Sequence, residues 1–161
     1  MSIVVEISDD EIEYLRSVAK LRNDPKHIKS QATEDCHLEG LVGEWAVAQF
    51  FGYDLDTECY GLNGDGGVDF ETPYGSIDVK TVNFKNPTIL KVYEDMSDFK
   101  ADIVVLVYRE SNKKVFIKGW ITRKDFINKS YLSNKFSAKR KSGPRWCLNE
   151  DQFNPIMSLR K

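Results

Sequence analysis

The stretch Gly64-Asp-Gly-Gly-Val-Asp-Phe-Glu-Thr-Pro-Tyr-Gly-Ser-Ile-Asp-Val-Lys-Thr81 constrains the fold of this chain more than any other. Val68 to Glu71 and Ser76 to about Val82 read as two strands. Thr72-Pro73-Tyr74-Gly75 lies between them with turn chemistry, because Pro fixes φ and Gly permits positive φ. The expected hairpin carries Asp69 on its first strand and Asp78 on its second, and antiparallel neighbours bring two such carboxylates to one sheet edge. Strand alternation puts Ile77 and Val79 on one face and Asp78, Lys80 and Val82 on the other. Charges placed beside these apolar residues would cost several kcal/mol if buried unpaired. The pattern therefore calls for an ion pair or a metal site. Hard divalent cations such as Mg²⁺ take oxygen ligands, typically one or two carboxylates with water and substrate phosphate.

The rest of the chain reads as one domain. Its 161 residues are enough for a real core. Ile3 to Ile7 suits a short edge strand. Ser8 and Glu11 have capping-box spacing, followed by Ile12, Leu15, Val18 and Ala19 at helical intervals, so a helix is expected over 9–23. A second helix is expected over about 35–51, with Leu38, Leu41, Val42, Trp45, Ala48 and Gln49 as its inner stripe and Gly52 as its stop. Glu44 lies at the rim of that stripe, near the line of His37, Leu41, Ala48 and Phe51, and Gly40 would leave room beside it.

Tyr53 to Tyr60 suits a short strand, and 63–67 a glycine-rich loop. Ile89 to Tyr93 leans to strand. Ile103 to Tyr108, rich in Val and Ile, suits a central strand. Ser111-Asn112-Lys113 turns the chain into a return strand from Val115 to Trp120. Thr122 and Asp125 start a short helix to Lys129. The stretch to Gly143 reads as loop, Trp146-Cys147-Leu148 as a last strand, and Phe153 to Leu159 as a final packed segment.

Composition removes several function classes. No run approaches the ~20 apolar residues of a membrane helix. The N-terminus lacks the basic region and apolar length of a signal peptide, so the expected compartment is the cytoplasm (the host's, if a phage encodes the chain). Cys36, Cys59 and Cys147 are too few for a four-thiolate zinc site and lack disulfide-framework spacing. No Gly-Lys-Ser/Thr follows the glycines, so the loop is not a phosphate-loop ATPase motif. Residues 118–161 hold eleven Lys or Arg against three Asp or Glu, while the body of the chain is acidic. A basic end on an acidic body suits either a polyanion-binding face or a solvated tail.

The ordered set Glu44, Asp69, Asp78-Val79-Lys80 resembles the PD-(D/E)XK nuclease superfamily. Within it, the chain resembles small phage nucleases and archaeal Holliday-junction resolvases. An acid on an early helix, an Asp at a hairpin and Asp/Glu-x-Lys on the next strand form that pattern. Val68 stands where the motif carries Pro.

The resemblance spans roughly residues 36–121. The helix over 9–23 precedes it, and a basic extension of 122–161 follows. It implies an α/β fold with a restriction-endonuclease-like core, a mixed central sheet flanked by helices. It also implies hydrolysis of DNA phosphodiester bonds to a 5′-phosphate and a 3′-hydroxyl. Asp69, Asp78 and the Val79 carbonyl would hold Mg²⁺ (Mn²⁺ substituting), with Glu44 as a further ligand. Lys80 would orient or deprotonate the attacking water, or stabilise the transition state.

Lys85, Lys91, Lys135, Lys139, Arg140, Lys141 and Arg145 are the expected DNA-phosphate contacts. Asp65 and Glu71 are candidate outer acids, and His37 a candidate phosphate or water contact. Each site residue also has an ordinary reading: a surface Asp78–Lys80 pair, a turn Asp69, a solvent-facing Glu44. Two other functions fit the same residues. One is a structure-selective junction resolvase, which would need a C2 homodimer. The other is a non-catalytic DNA-binding or assembly protein on the same fold.

Overall fold

Ser8 and Glu11 form the reciprocal cap that their spacing predicts. The Glu11 amide donates to Ser8 Oγ at 3.2 Å, and the Ser8 amide donates to Glu11 Oε1 at 3.1 Å. In the computed structural model, which describes residues 2–22, 34–52, 68–83, 89–93, 99–133 and 145–160, this cap opens α1, Asp9–Arg22. Ile12, Leu15, Val18 and Ala19 form its buried face. Helix α2, Glu34–Phe51, ends at Gly52, whose φ of 75° and amide bond to the Gln49 carbonyl make the stop.

Glu11 also joins the two helices, since Trp45 Nε1 donates to its Oε2 at 2.8 Å. The Ser8 amide above all, opposed by burial and helped by the Ser8 hydroxyl and the Trp45 indole, holds the Glu11 carboxyl below the ordinary glutamate range. A depressed carboxylate contributes stability above the ordinary glutamate range, and that stability is lost as pH falls through the lowered folded value. Glu11→Gln should therefore flatten the acid limb of the urea midpoint against pH. An unchanged slope would rule out this linkage.

The central sheet has the order β1-β6-β5-β3-β2. Its strands are β1 Ile3–Glu6, β2 Phe70–Thr72, β3 Gly75–Val82, β5 Ile103–Ser111 and β6 Lys114–Thr122. β3 and β5 are parallel and the other pairs antiparallel, so the sheet is mixed. All six residues from Ile103 to Tyr108 are buried, which requires both faces of β5 to be covered. On one face, Ile77, Val79, Val105, Val107, Val115 and Ile117 pack against α1 and α2. On the other, Val104 and Ile121 pack against Phe99, Phe126 and Leu148. Phe126 belongs to α3, Arg123–Lys129, whose Thr122 cap accepts from the Asp125 amide at 3.1 Å. The chain is a mixed α/β fold with a central sheet flanked by helices.

A second sheet of order β4-β8-β7 is built from Ile89–Tyr93, Arg145–Asn149 and Tyr131–Ser133. The last of these replaces part of the loop expected after α3. One-turn 3-10 helices at Glu150–Gln152 and Ile156–Arg160 close the chain, and Ile156 and Leu159 complete the helix-side core.

The register of α2 over β3 follows from three contacts. Asn83 Nδ2 donates to Glu39 Oε2 at 2.9 Å, Gly43 lies against Thr81, and the Phe51 and Tyr74 rings are 6.2 Å apart. Four helical residues advance about 6.0 Å and two strand residues about 6.6 Å. Steps from 39 to 43 and from 83 to 81 thus match, and α2 runs antiparallel along β3. Arg109 fixes this end, donating from Nη2 to Glu39 at 2.9 Å, from Nε to Asn83 at 2.8 Å and from Nη1 to Asn112 at 2.6 Å.

The close approach is at Gly43. Gly40, expected to make room, has nothing within 4 Å of an added Cβ. Gln49, expected on the inner stripe, is exposed, while Ala46 and Val47 are buried, because α2 covers several strands rather than one. The strand expected at 53–60 and the glycine loop at 63–67 lie outside the described residues.

Ser76 and Asp102 clasp the starts of the two parallel strands. The amide and hydroxyl of Ser76 reach Asp102 Oδ2 at 3.1 and 3.2 Å, and the Asp102 amide donates back to Ser76 Oγ at 2.9 Å. Ser76→Ala removes two of these bonds at a buried position and should cost about 1–2 kcal/mol in urea unfolding. A change within experimental error would show that the clasp adds nothing.

Candidate active site

The site is built where β2 stops. Pairing of β2 with β3 covers Gly75 to Ile77, whereas β5 follows β3 from Ile77 to Val82. Among the described residues, no strand pairs with the outer side of β3 beyond Ile77. Asp69 occupies the step. It stands just before β2 rather than on it, its amide donates to the Ile77 carbonyl at 2.8 Å, and its Oδ2 accepts from the Val79 amide at 2.7 Å. A side-chain carboxylate thus replaces the next rung of the ladder. In an extended strand the N–H and C=O of one residue point to the same side, so the Val79 carbonyl faces this same open edge.

Asp78 is only 5% exposed. Lys80 Nζ lies 3.1 Å from its Oδ2, and the lysine side chain is one-third exposed. The surface-pair reading of these two residues is excluded by the burial of Asp78. Ile77 and Val79 sit in the helix-side core as the alternation requires, so Asp78 and Lys80 project from the opposite face of β3. A buried ion pair rarely stabilises a fold more than apolar residues of the same volume. Here only the carboxylate is buried, and the ammonium is one-third exposed at an open sheet edge.

Glu44 is half-buried on α2, one residue beyond Gly43 and level with Lys80 and Thr81 by the register above. Helix α2 covers the Val79 and Thr81 face of β3, which is opposite the face that carries Asp78 and Lys80. Among the described residues, no three His, Cys, Asp or Glu side chains converge closely enough to hold a metal ion. What the fold does bring together is Asp69 with the Val79 amide and Asp78 with Lys80, on consecutive residues of one strand.

Glu71 is exposed. Lys91 lies on β4 opposite Cys147, and Arg145 opens β8 opposite Ser133. Asp65, Lys85, Lys135, Lys139, Arg140 and Lys141, with the side chains of Lys91, Arg145 and His37, lie outside the described residues. The joint between Gly43 and Thr81 was not anticipated. The only trace of it in the sequence is a glycine one position before the helical acid and a threonine one position after the lysine. Comparison with protein-family models, curated proteins and solved structures found no match.

Proposed function

We propose that this protein is a metal-dependent DNA endonuclease with a restriction-endonuclease-like core, cutting phosphodiester bonds to leave a 5′-phosphate and a 3′-hydroxyl. The observation that carries the reading is the Asp78–Lys80 pair on β3, its carboxylate buried and its ammonium one-third exposed, with the Asp69 carboxylate bonded to the Val79 amide between them. In this reading Asp69, Asp78 and the Val79 carbonyl hold Mg²⁺, or Mn²⁺ in its place. When bound, the ion neutralises phosphoryl charge and makes a water more acidic.

The protein's own residues do the rest. Asp78 holds the Lys80 ammonium along one face of the strand. Lys80, one-third exposed, can reach a phosphate at the open edge, orient the attacking water and offset negative charge in the transition state. Asp69 fixes the edge by tying down the Val79 amide, which leaves the carbonyl turned outward. Glu44, half-buried on α2, would supply a further carboxylate ligand to the ion.

The test is cleavage of plasmid, linear, single-stranded and four-way-junction DNA with Mg²⁺ and with EDTA. Magnesium-dependent cutting is expected. Paired symmetric cuts confined to junctions would turn the reading to a resolvase, and DNA binding without any cutting would turn it to an assembly role.

A further inference from the structure

We infer that Gly43 and Thr81 are positioning residues for the site, because their contact sets how closely α2, and with it Glu44, approaches the lysine strand. The inference rests on the nuclease reading and extends it to two residues that carry no acid, base or charge.

A Cβ added at Gly43 would overlap Thr81 Oγ1 and stand 3.2 Å from Thr81 Cβ. A side chain at 43 must therefore turn the Thr81 hydroxyl aside or move the helix away from the strand. Thr81 Oγ1 is buried and has no hydrogen-bond partner among the described residues. An unsatisfied buried hydroxyl costs about 1–3 kcal/mol, and stability alone would favour an apolar residue there. Gly43 immediately precedes Glu44, and Thr81 immediately follows Lys80. The contact is thus the mechanical joint between the helix and the strand that carry the two ends of the motif. In the nuclease reading Glu44 would have to meet the other acids around the open edge of β3, so a small rise of α2 would withdraw its carboxylate. The Glu39–Arg109–Asn83 bonds hold the register along the strand but leave height above it to this contact.

Two double-mutant cycles test this. In urea unfolding, Gly43→Ala should lower the midpoint, and adding Thr81→Ala should recover most of the loss by removing the overlapping hydroxyl. No recovery overturns the contact. For function, Mg²⁺ affinity is measured by calorimetry beside plasmid cleavage. Gly43→Ala should weaken Mg²⁺ binding and lower kcat by about tenfold or more, with KM for DNA little changed. Glu44→Gln alone should do the same. Placed on Gly43→Ala it should add less than about twofold, because both changes remove one interaction.

If Gly43→Ala does not fold, Thr81→Ala takes its place in the cycle with Glu44→Gln, and the same non-additivity is expected. Independent effects, in a wild type that binds Mg²⁺ and cuts DNA, would overturn this inference alone. A wild type that neither binds Mg²⁺ nor cuts would overturn the nuclease reading and this inference with it.

Discussion

Lys80→Ala is expected to lower magnesium-dependent DNA cleavage by about 100- to 1,000-fold, the range found when one preorganised electrostatic group is removed from a site. The loss should fall on kcat, because a charge acting on the transition state adds little to ground-state binding of a long polyanion. Stability should fall as well. Asp78 is 5% exposed, and truncating its partner leaves a buried carboxylate without the 3.1 Å ammonium. The one-third exposure of Lys80 and the other contacts of Asp78 moderate this, so about 1–2 kcal/mol is expected rather than the 3–5 of a fully buried pair.

The decisive companion is the double variant Asp78→Leu, Lys80→Met. Its side chains keep the volume and remove both charges, so it should be as stable as wild type or more so, and inactive. A pair kept for folding would show the opposite: loss of stability in the double variant. Cleavage that survives in either variant would remove Lys80 from the chemistry.

Gly119→Ala should produce the largest loss of stability among single methyl additions. A Cβ at 119 would stand 2.5 Å from the Asn154 carbonyl oxygen and 3.0 Å from Phe153 Cβ. That oxygen belongs to backbone and cannot rotate away. It is held by the Trp120 amide at 3.0 Å, while the Asn154 amide bonds back to the Trp120 carbonyl at 2.7 Å. Trp120 Nε1 adds bonds to Pro155 O and Ser158 Oγ, so the final segment is fastened on both sides of the contact. Relieving the overlap must separate β6 from 153–155 and loosen Ile156 and Leu159 in the core. The cost should be about 2–4 kcal/mol. For a chain of this size that is a fall in Tm of roughly 5–15 °C. A shift of a degree or less in differential scanning calorimetry would mean that the segment gives way freely. Cleavage per folded molecule should be nearly unchanged, since the strain lies on β6 and not at the edge of β3.

Some of this was legible in the residues themselves. Ser8 and Glu11 announced the first helix because a capping box is closed by atoms three residues apart. Pro73 and Gly75 announced the hairpin, and the alternation from Ile77 to Lys80 told which side chains would share a face, because both are properties of a few consecutive residues. The six-residue apolar run from Ile103 predicted a strand covered on both sides. That Asp78 and Lys80 share a face follows from the same alternation; that Asp78 is buried there does not.

Tertiary structure decided the rest. Nothing near β3 in sequence states that its neighbour will be the parallel β5, some twenty-five residues on, or that Ile89–Tyr93 and Arg145–Asn149 will pair in a second sheet. Such pairings are chosen by the packing of the whole chain, and period-2 patterns are alike for any partner. The pairing also stops β2 at Phe70, which opens the edge where Asp69 meets the Val79 amide. Residue spacing placed Glu44 beside a stripe but could not say which face of β3 the helix would cover. That choice depends on α1, α2 and the central sheet sharing one core, and it sets α2 on the face of β3 opposite Asp78. The chemistry of the acids and the lysine is local and belongs to the sequence; their distances are a sum over long-range contacts, and only the folded chain fixes them.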